Sequence, residues 1–439
     1  MGVSGRSVCE LLLRQGVEVI ATDIRPRDQF EGALDYLEDK GCRLQLGKHL
    51  LDDFVNVDQI VVSPGIPLDL EPLREARKLG VEITGELDWA WRQIKAPTIA
   101  VTGTNGKTTT TSLIGEMLKG CGKRVFVGGN IGTPLSRWLL SGEEADLLVL
   151  EVSSFQLDTA SRFCPEVGVL LNITEDHLDR YESFSAYADS KLSIFCRQGA
   201  EHVAIVNGDD PLCKERSGEI PGRTLVYSRS DRTANATIRE RLASVDIPWK
   251  SSFSLSLETS ALKGVHNEEN ILAAVLAVAA VDAPARIMQE VIDRYRGLSH
   301  RVEWVRTWNG IDFYDDSKGT NVGAVVKAVE NFDRPILLLL GGRDKLGSYE
   351  PLAEPVRAKA KGVFVFGEAA PRMRVEFEKW APTMSFAGLE ESFREAVMRA
   401  APGDVVLLSP ACSSFDQYES YAQRGDHFKS LVNQLGQVA

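Results

Sequence analysis

Thr98-Ile99-Ala100-Val101-Thr102 runs directly into Gly103-Thr104-Asn105-Gly106-Lys107-Thr108-Thr109-Thr110, and Leu113, Ile114, Met117 and Leu118 follow at helical spacing. An apolar β-branched run, a glycine-rich loop and a helix start, in that order, make a phosphate cradle. Glycines let backbone N–H groups converge on phosphate oxygens, and the helix N-terminus adds partial positive charge. Lys107 is positioned to reach terminal phosphates, and the Thr108 hydroxyl to ligate magnesium. The common P-loop pattern puts glycine at position 101, where this chain has Val101. Taken alone, Gly-Lys-Thr after a strand is also an ordinary helix start.

A phosphate loop needs an acid on a neighbouring strand to hold a divalent cation. Leu147-Leu148-Val149-Leu150 delivers Glu151 at the end of such a strand; the bland alternative is a solvated strand end. A further strand reaches Asn172 and enters Ile173-Thr174-Glu175-Asp176-His177-Leu178-Asp179-Arg180-Tyr181, which places His177 in a loop just past a strand C-terminus. Phe184, Tyr187, Ala188, Ile194 and Phe195 then mark one helical face with Lys191 in the middle of the stripe. Either that lysine snorkels to the surface along its alkyl stem or it has work to do inside.

Working outward, short apolar runs alternate with helical patterns at Val17 to Thr22, Ile60 to Val62, Leu147 to Val152 and Val167 to Asn172, and again at Pro335 to Leu340, Val363 to Phe366 and Val405 to Ser409. That is the rhythm of parallel α/β layers, in which the loops after strand C-termini bind ligands. Ser228 to Leu262 is polar and irregular, with weak alternation in Phe253 to Leu257 that predicts a small antiparallel insert. Val302 to Trp308 and Ile311 to Asp315 flank Asn309-Gly310, a two-residue hairpin signal. A chain of 439 residues is too long for one core, and composition shifts near Gly85 and Gly297 divide it into three domains.

The net charge of −12 opposes binding to nucleic acid or to an anionic membrane surface. Seven dispersed cysteines without a C-x-x-C pair argue against a disulfide framework or a zinc knuckle and fit a reducing cytoplasm. No run approaches the roughly 18 consecutive apolar residues of a membrane helix, and no signal peptide stands at the N-terminus.

Together, GTNGKTTT, LEVSSFQLD, NITEDHLDRY and YADSKLSIF resemble the Mur ligases, which build the peptide stem of peptidoglycan. The resemblance covers essentially the whole chain. It implies an α/β protein of three domains: a Rossmann-like UDP-substrate domain over 1–85, a central P-loop-type ATPase domain with a mostly parallel sheet over 86–297, and a Rossmann-like amino-acid domain over 298–439. It further implies ATP on Gly103, Thr104, Asn105, Gly106, Lys107, Thr108 and Thr109, and magnesium on Thr108, Glu151, His177 and a carbamylated Lys191. Lys107, Glu151, His177 and Lys191 are then the catalytic set. Asn267 and Asn270 in Gly264-Val265-His266-Asn267-Glu268-Glu269-Asn270 match asparagines near the nucleotide, although alone this segment is a helix start. Arg301 in Ser299-His300-Arg301-Val302-Glu303 matches an arginine that reaches ATP, and Asp316 an acid that binds the ribose.

The third domain presents the incoming amine. Asp316-Ser317-Lys318-Gly319-Thr320-Asn321, Gly341-Gly342-Arg343-Asp344-Lys345 and Ser409-Pro410-Ala411-Cys412-Ser413-Ser414-Phe415-Asp416-Gln417-Tyr418 resemble the D-glutamate-adding branch. Lys318, Lys345, Thr320 and Ser414 suit a dicarboxylate chemically, with Phe415 and Tyr421 as pocket walls; surface charge is the other reading of the lysines. In the first domain Asp23, about twenty residues after a glycine turn, reads naively as a dinucleotide-site acid. The resemblance instead implies UDP on Ser4, Asp23, Arg25, Ser63 and Gly65, with Asn130 meeting the same substrate, UDP-N-acetylmuramoyl-L-alanine. Because the chain starts inside that glycine turn, a start codon upstream of Met1 is expected. A cytoplasmic monomer without nucleic-acid or membrane partners completes the expectation. Two rivals stay open: a folylpolyglutamate synthase, which has no use for a UDP-binding domain, and a nucleotide-binding regulator without ligase chemistry.

Overall fold

The computed structural model describes residues 1–30, 32–174, 180–344 and 347–436. The chain divides into two compact units, Met1–Ser260 with His266–Tyr295, and Ala261–Val265 with Arg296–Ala439.

In the first unit, the strands β1 (Ile20–Asp23) and β2 (Arg43–Leu46) pair in parallel, as do β3 (Gln59–Val62) and β4 (Glu82–Gly85), forming two separate two-stranded sheets. A small core of Cys9, Val19, Ala21, Leu34 and Leu37 lies under the first pair, and one of Phe54, Val62, Leu73 and Ala76 under the second. The helix Val3–Arg14 turns Val8 and Leu11 toward Leu87, Leu135 and Trp138, which joins this region to the core of the large sheet.

That sheet has nine strands: β5 (Thr98–Thr102), β6 (Val125–Gly129), β7 (Leu147–Glu151), β8 (Val167–Leu170), β9 (Val203–Asn207), β10 (Arg223–Ser228), β11 (Ala236–Arg239), β12 (Leu242–Val245) and β13 (Phe253–Ser256). Their spatial order is β13-β12-β11-β10-β9-β8-β5-β7-β6. Strands β5 to β11 are mutually parallel, and β11, β12 and β13 pair antiparallel. The predicted antiparallel insert therefore exists, but it continues the main sheet. Chain order reverses at β5, whose neighbours are β7 and β8, so the crevice past its C-terminal end is the topological switch point where such sheets bind ligands. All five residues of β5 are buried. Val101 lies inside this strand, registered against Glu151 and Val169, so the bend that would need glycine begins only at Gly103. The predicted apolar stripe Leu113, Ile114, Met117 and Leu118 is buried on the helix Lys107–Gly120.

Among its described residues the second unit holds six strands, β14 (Glu303–Trp308), β15 (Ile311–Asp315), β16 (Ile336–Gly341), β17 (Ala360–Phe366), β18 (Thr383–Phe386) and β19 (Val405–Ala411), ordered β14-β15-β19-β16-β17-β18. The β14–β15 hairpin turns on Asn309 and Gly310, both with positive φ (49° and 74°), as a type I′ connection requires. The remaining pairs are parallel. Here the order reverses around β19, which brings the C-terminal ends of β15, β16 and β19 side by side. Among the described residues no helix is long and apolar enough to cross a membrane.

Candidate active site

Gly106 stands at the N-cap of the helix Lys107–Gly120 with φ +84°, and a Cβ there would run into the side-chain oxygen of Asn270. Only glycine fits on both counts. Since Gly106 has no side chain, no side-chain cap covers the first N–H groups of this helix, which leaves an anion-binding terminus. Asn270, buried on the helix Val265–Ala280, also accepts a hydrogen bond from Thr110 Oγ1 at 3.2 Å. Asn267 lies half-buried one turn earlier on the same helix.

The loop is fastened to the end of β8. Asn105 N–H donates to Asn172 Oδ1 at 2.8 Å, and Asn172 Nδ2 donates back to the Asn105 carbonyl at 3.1 Å. Thr104 Oγ1 donates to the Thr174 carbonyl at 3.2 Å and lies 3.1 Å from the Tyr187 hydroxyl. Lys107 Nζ donates to the carbonyls of Gly103 and Thr104, both at 2.8 Å. Lys191, only 2 % exposed, donates from Nζ to the same Gly103 carbonyl at 3.0 Å, with the ammonium 4.6 Å from the Tyr187 ring centre. The side chain does not snorkel; the helix Phe184–Leu192 aims it inward at the phosphate loop.

Glu151 ends β7 next to that loop and is 2 % exposed. Its Oε1 accepts from the Asn130 amide at 2.7 Å, whereas its Oε2 is buried with no hydrogen-bond partner among the described residues. Asn130, expected at the UDP-linked substrate, thus sits with its amide on the acid, and its backbone N–H donates to the Glu151 carbonyl at 2.8 Å. A buried carboxylate oxygen without a donor suits a divalent cation, so the residues here fit magnesium. His177 lies outside the described residues. Tyr181, which follows in the same sequence motif, donates to Asp158 Oδ2 at 2.8 Å, and Ser190 donates to Asp158 Oδ1, which ties the segment after Glu151 to the Lys191 helix. Burial pushes the Tyr181 phenol up to about 12.

In the region of residues 1–85, Asp23 and Arg25 pair with each other, Nη2 to Oδ2 at 3.0 Å, and Arg25 lies 4.5 Å over the Phe30 ring. Ser4 lies in the first turn of the helix Val3–Arg14. Gly5 and Ser63 adjoin, since a Cβ on Gly5 would come 3.1 Å from Ser63 Oγ. Arg180, just past the histidine motif, donates to the Gly65 carbonyl at 2.8 Å and stacks 5.0 Å over Phe155, connecting this turn to the central motifs.

In the second unit, Asp316 follows β15 and is buried; Ser409 Oγ donates to its Oδ2 at 2.6 Å and Val302 N–H to its Oδ1 at 3.2 Å. Burial outweighs these donors and pushes the carboxyl up to about 7. Arg301 is half-buried one residue before Val302. Lys318 lies 5.1 Å over the ring of Tyr421, the first residue of the helix Tyr421–Gln434. Thr320 follows two residues on, its N–H donating to the Lys318 carbonyl at 2.8 Å. Ser414 is buried past the end of β19, whereas Phe415 is 61 % exposed and stands open to solvent. Lys345 lies outside the described residues. Sequence reasoning missed Asn172 and Arg424. The first reads in the sequence only as the end of a strand, with no partner assigned to its side chain; the second is a fully buried arginine one turn before the apolar stripe Phe428, Leu431 and Val432.

A glycine loop at a switch point, an acid with an open oxygen and two converging lysines define a nucleotide-dependent α/β enzyme of the phosphoryl-transfer kind. Family models match nearly all of the chain: the Mur ligase MurD-like N-terminal domain over residues 1–85, the Mur ligase middle domain over 101–278 and the Mur ligase glutamate ligase domain over 300–412. The UDP-N-acetylmuramoylalanine--D-glutamate ligase of Geotalea daltonii is 43% identical over 434 residues, 98% of this chain and 95% of that protein. That of Desulfosudis oleivorans is 43% identical over 436 residues, 99% and 95% of the two chains. Among solved structures, a pseudomurein peptide ligase type C from Methanothermus fervidus superposes with a TM-score of 0.61 at 18% identity, covering 99% of this chain and 98% of that one. UDP-N-acetylmuramate-alanine ligase from Thermotoga maritima gives 0.58 at 17% identity, covering 99% and 97%. The chain belongs to the Mur ligase family.

Proposed function

We propose that the protein is an ATP-dependent ligase that joins D-glutamate to UDP-N-acetylmuramoyl-L-alanine in peptidoglycan synthesis. The observation that carries the phosphoryl-transfer half is the convergence of Lys107, Lys191 and Glu151 at the loop after β5. The amino-acid choice rests on the likeness, along nearly the full chain, to relatives named for D-glutamate. In this reading the γ-phosphoryl group of ATP passes to the carboxylate of the UDP-linked alanine. That transfer leaves ADP; the amine of D-glutamate then attacks the acyl phosphate, the C–N bond forming as the C–O bond to phosphate breaks and the amine loses a proton, which gives the amide and free phosphate.

The backbone N–H groups after Gly106 and the Lys107 ammonium orient the phosphates and spread their charge. Glu151, Thr108 and His177 are the proposed holders of magnesium, which supplies further charge neutralisation when bound. Lys191 is proposed to lose a proton to solvent and, as the neutral amine, to add to carbon dioxide, the new N–C bond forming as a second proton leaves the nitrogen for solvent. The carbamate nitrogen keeps one N–H for the Gly103 carbonyl, and the new carboxylate adds an anionic ligand beside Glu151. Asn267, Asn270, Arg301 and Asp316 keep the nucleotide roles the resemblance implies, and Ser4, Asp23, Arg25, Ser63, Gly65 and Asn130 those toward the UDP moiety. Lys318, Thr320, Lys345, Ser414, Phe415 and Tyr421 are the proposed D-glutamate pocket. Domain limits at 85 and 297, a monomeric state and a cytoplasmic site belong to the same reading.

The test is product analysis. Incubation with ATP, magnesium, the UDP-linked alanine substrate and isotopically labelled D-glutamate yields a labelled UDP-linked dipeptide by mass spectrometry; absence of label in the nucleotide-sugar product rejects the assignment.

A further inference from the structure

Asn172 closes on a single residue of the phosphate loop from both sides. Its side-chain Oδ1 accepts the Asn105 N–H at 2.8 Å, and its Nδ2 donates to the Asn105 carbonyl at 3.1 Å. That is the pairing a neighbouring strand would offer, supplied here by one side chain. The main-chain carbonyl of Asn172 takes the N–H of the preceding loop residue, Thr104, at 3.0 Å. Asn105 is exposed, so without this clasp water would compete for both of its backbone groups.

The strand end that carries the clasp is itself held stiffly. Leu171 N–H donates to the Thr102 carbonyl at 3.0 Å. The Leu171 carbonyl accepts from Asn207 Nδ2 at 3.0 Å and from the Tyr227 hydroxyl at 3.2 Å, both side chains being buried. Asn207 ends β9 and Tyr227 lies in β10, so two successive sheet neighbours fix the point from which Asn172 reaches out. The loop lies directly on that point. Gly103 has φ +149°, and a Cβ there would come 3.0 Å from Leu171 Cβ and 3.3 Å from the Asn172 nitrogen. A Cβ on Gly106 would meet Leu171 Cδ1 at 3.2 Å.

These contacts divide the work of the loop. The N–H groups of Thr104 and Asn105 are turned to Asn172 rather than to a phosphate, and the carbonyls of Gly103 and Thr104 are drawn to Lys107 and Lys191. The anion then falls to the helix start after Gly106, whose place depends on the two residues before it being held. A loop ordered by protein groups before its ligand arrives spares the ligand that ordering cost.

We propose that Asn172 is the positioning residue of the phosphate loop, holding Thr104 and Asn105 in the nucleotide-binding conformation in the absence of nucleotide. The inference deepens the ATP reading above and rests on it. Asn172 acts through Asn105. Asn172→Ala removes both side-chain bonds and leaves the main-chain bond to Thr104.

The experiment measures ATP binding to the full chain by calorimetry, with magnesium present and the other substrates omitted, together with residue-level hydrogen–deuterium exchange of the nucleotide-free protein. In Asn172→Ala the Kd for ATP rises by roughly 10-fold, the scale of a loosened binding group, and the Asn105 amide, slow to exchange in the wild type, exchanges fast. The KM values for D-glutamate and the UDP-linked substrate stay within about twofold. A merely structural role lowers the melting temperature and the active fraction and leaves the Kd for ATP unchanged, and that result overturns the proposal. The wild type answers even if the variant does not fold: an Asn105 amide that exchanges at the rate of an open loop without nucleotide overturns the proposal as well. A wild type that binds no ATP rejects the nucleotide reading itself, whereas equal binding by wild type and variant rejects the role of Asn172 alone.

Discussion

Asn130 donates its side-chain amide to Glu151 Oε1 at 2.7 Å, and Oε2 of the same buried carboxylate has no hydrogen-bond partner among the described residues. One oxygen is thus held in place and the other is buried with its lone pairs unused. That division suits a carboxylate whose second oxygen has a cation to meet, since a buried, unsatisfied acceptor costs about 1–3 kcal/mol if it serves nothing.

Glu151→Gln keeps the shape and removes the charge. Phosphate release is expected to fall by about 10²- to 10³-fold, while the thermal stability holds or improves because a buried charge has gone. Activity within about twofold of wild type, assayed across a magnesium titration, contradicts the metal role.

Lys191 tests the second anionic ligand. Lys191→Ala is expected to lose at least about 100-fold in turnover, and added short carboxylates such as acetate or formate restore part of it by entering the space the side chain leaves. Intact-mass analysis of the wild type in bicarbonate buffer shows the added mass of one carbon dioxide, absent from the variant. Full activity of Lys191→Ala without rescue removes the carbamate from the account.

Much of this was legible in the chain itself because it is local. Thr98 to Thr102 with its glycine loop, the helix stripe after it, and the Asn309-Gly310 hairpin depend on neighbours in sequence, and the structure has them where the pattern places them. Lys191 was legible as an anomaly, a cation within an apolar stripe, but its partner at Gly103 lies 88 residues away and leaves no periodic trace. The amide of Asn130 on Glu151 and that of Asn172 on Asn105 were not legible for the same reason: each contact joins strand ends that only the sheet order brings together. Ser228 to Leu262 misled in a different way. Its weak alternation reports antiparallel strands correctly, but nothing in the pattern says that β11 joins β10 in parallel and so extends the main sheet.

Asp316 gives a pH dependence with a definite sign. Burial raises its pKa from the ordinary 3.8 to about 7, so between those values the folded chain keeps a proton that the unfolded chain has released. Stability from this group is therefore fully present below the lower value, falls as pH rises through the window and levels off above about pH 7. Denaturant unfolding of wild type and Asp316→Asn should show a stability difference that shifts against the wild type between about pH 4 and pH 7 and is constant above that window. A difference independent of pH contradicts the assignment.

The central claim is a ligase specific for D-glutamate, and phosphate release from ATP measures it most directly. With magnesium and UDP-N-acetylmuramoyl-L-alanine present, release is predicted to require D-glutamate and to stay at background with L-glutamate or with no amino acid. Release that proceeds equally with either enantiomer or with neither, or that fails with D-glutamate, contradicts it.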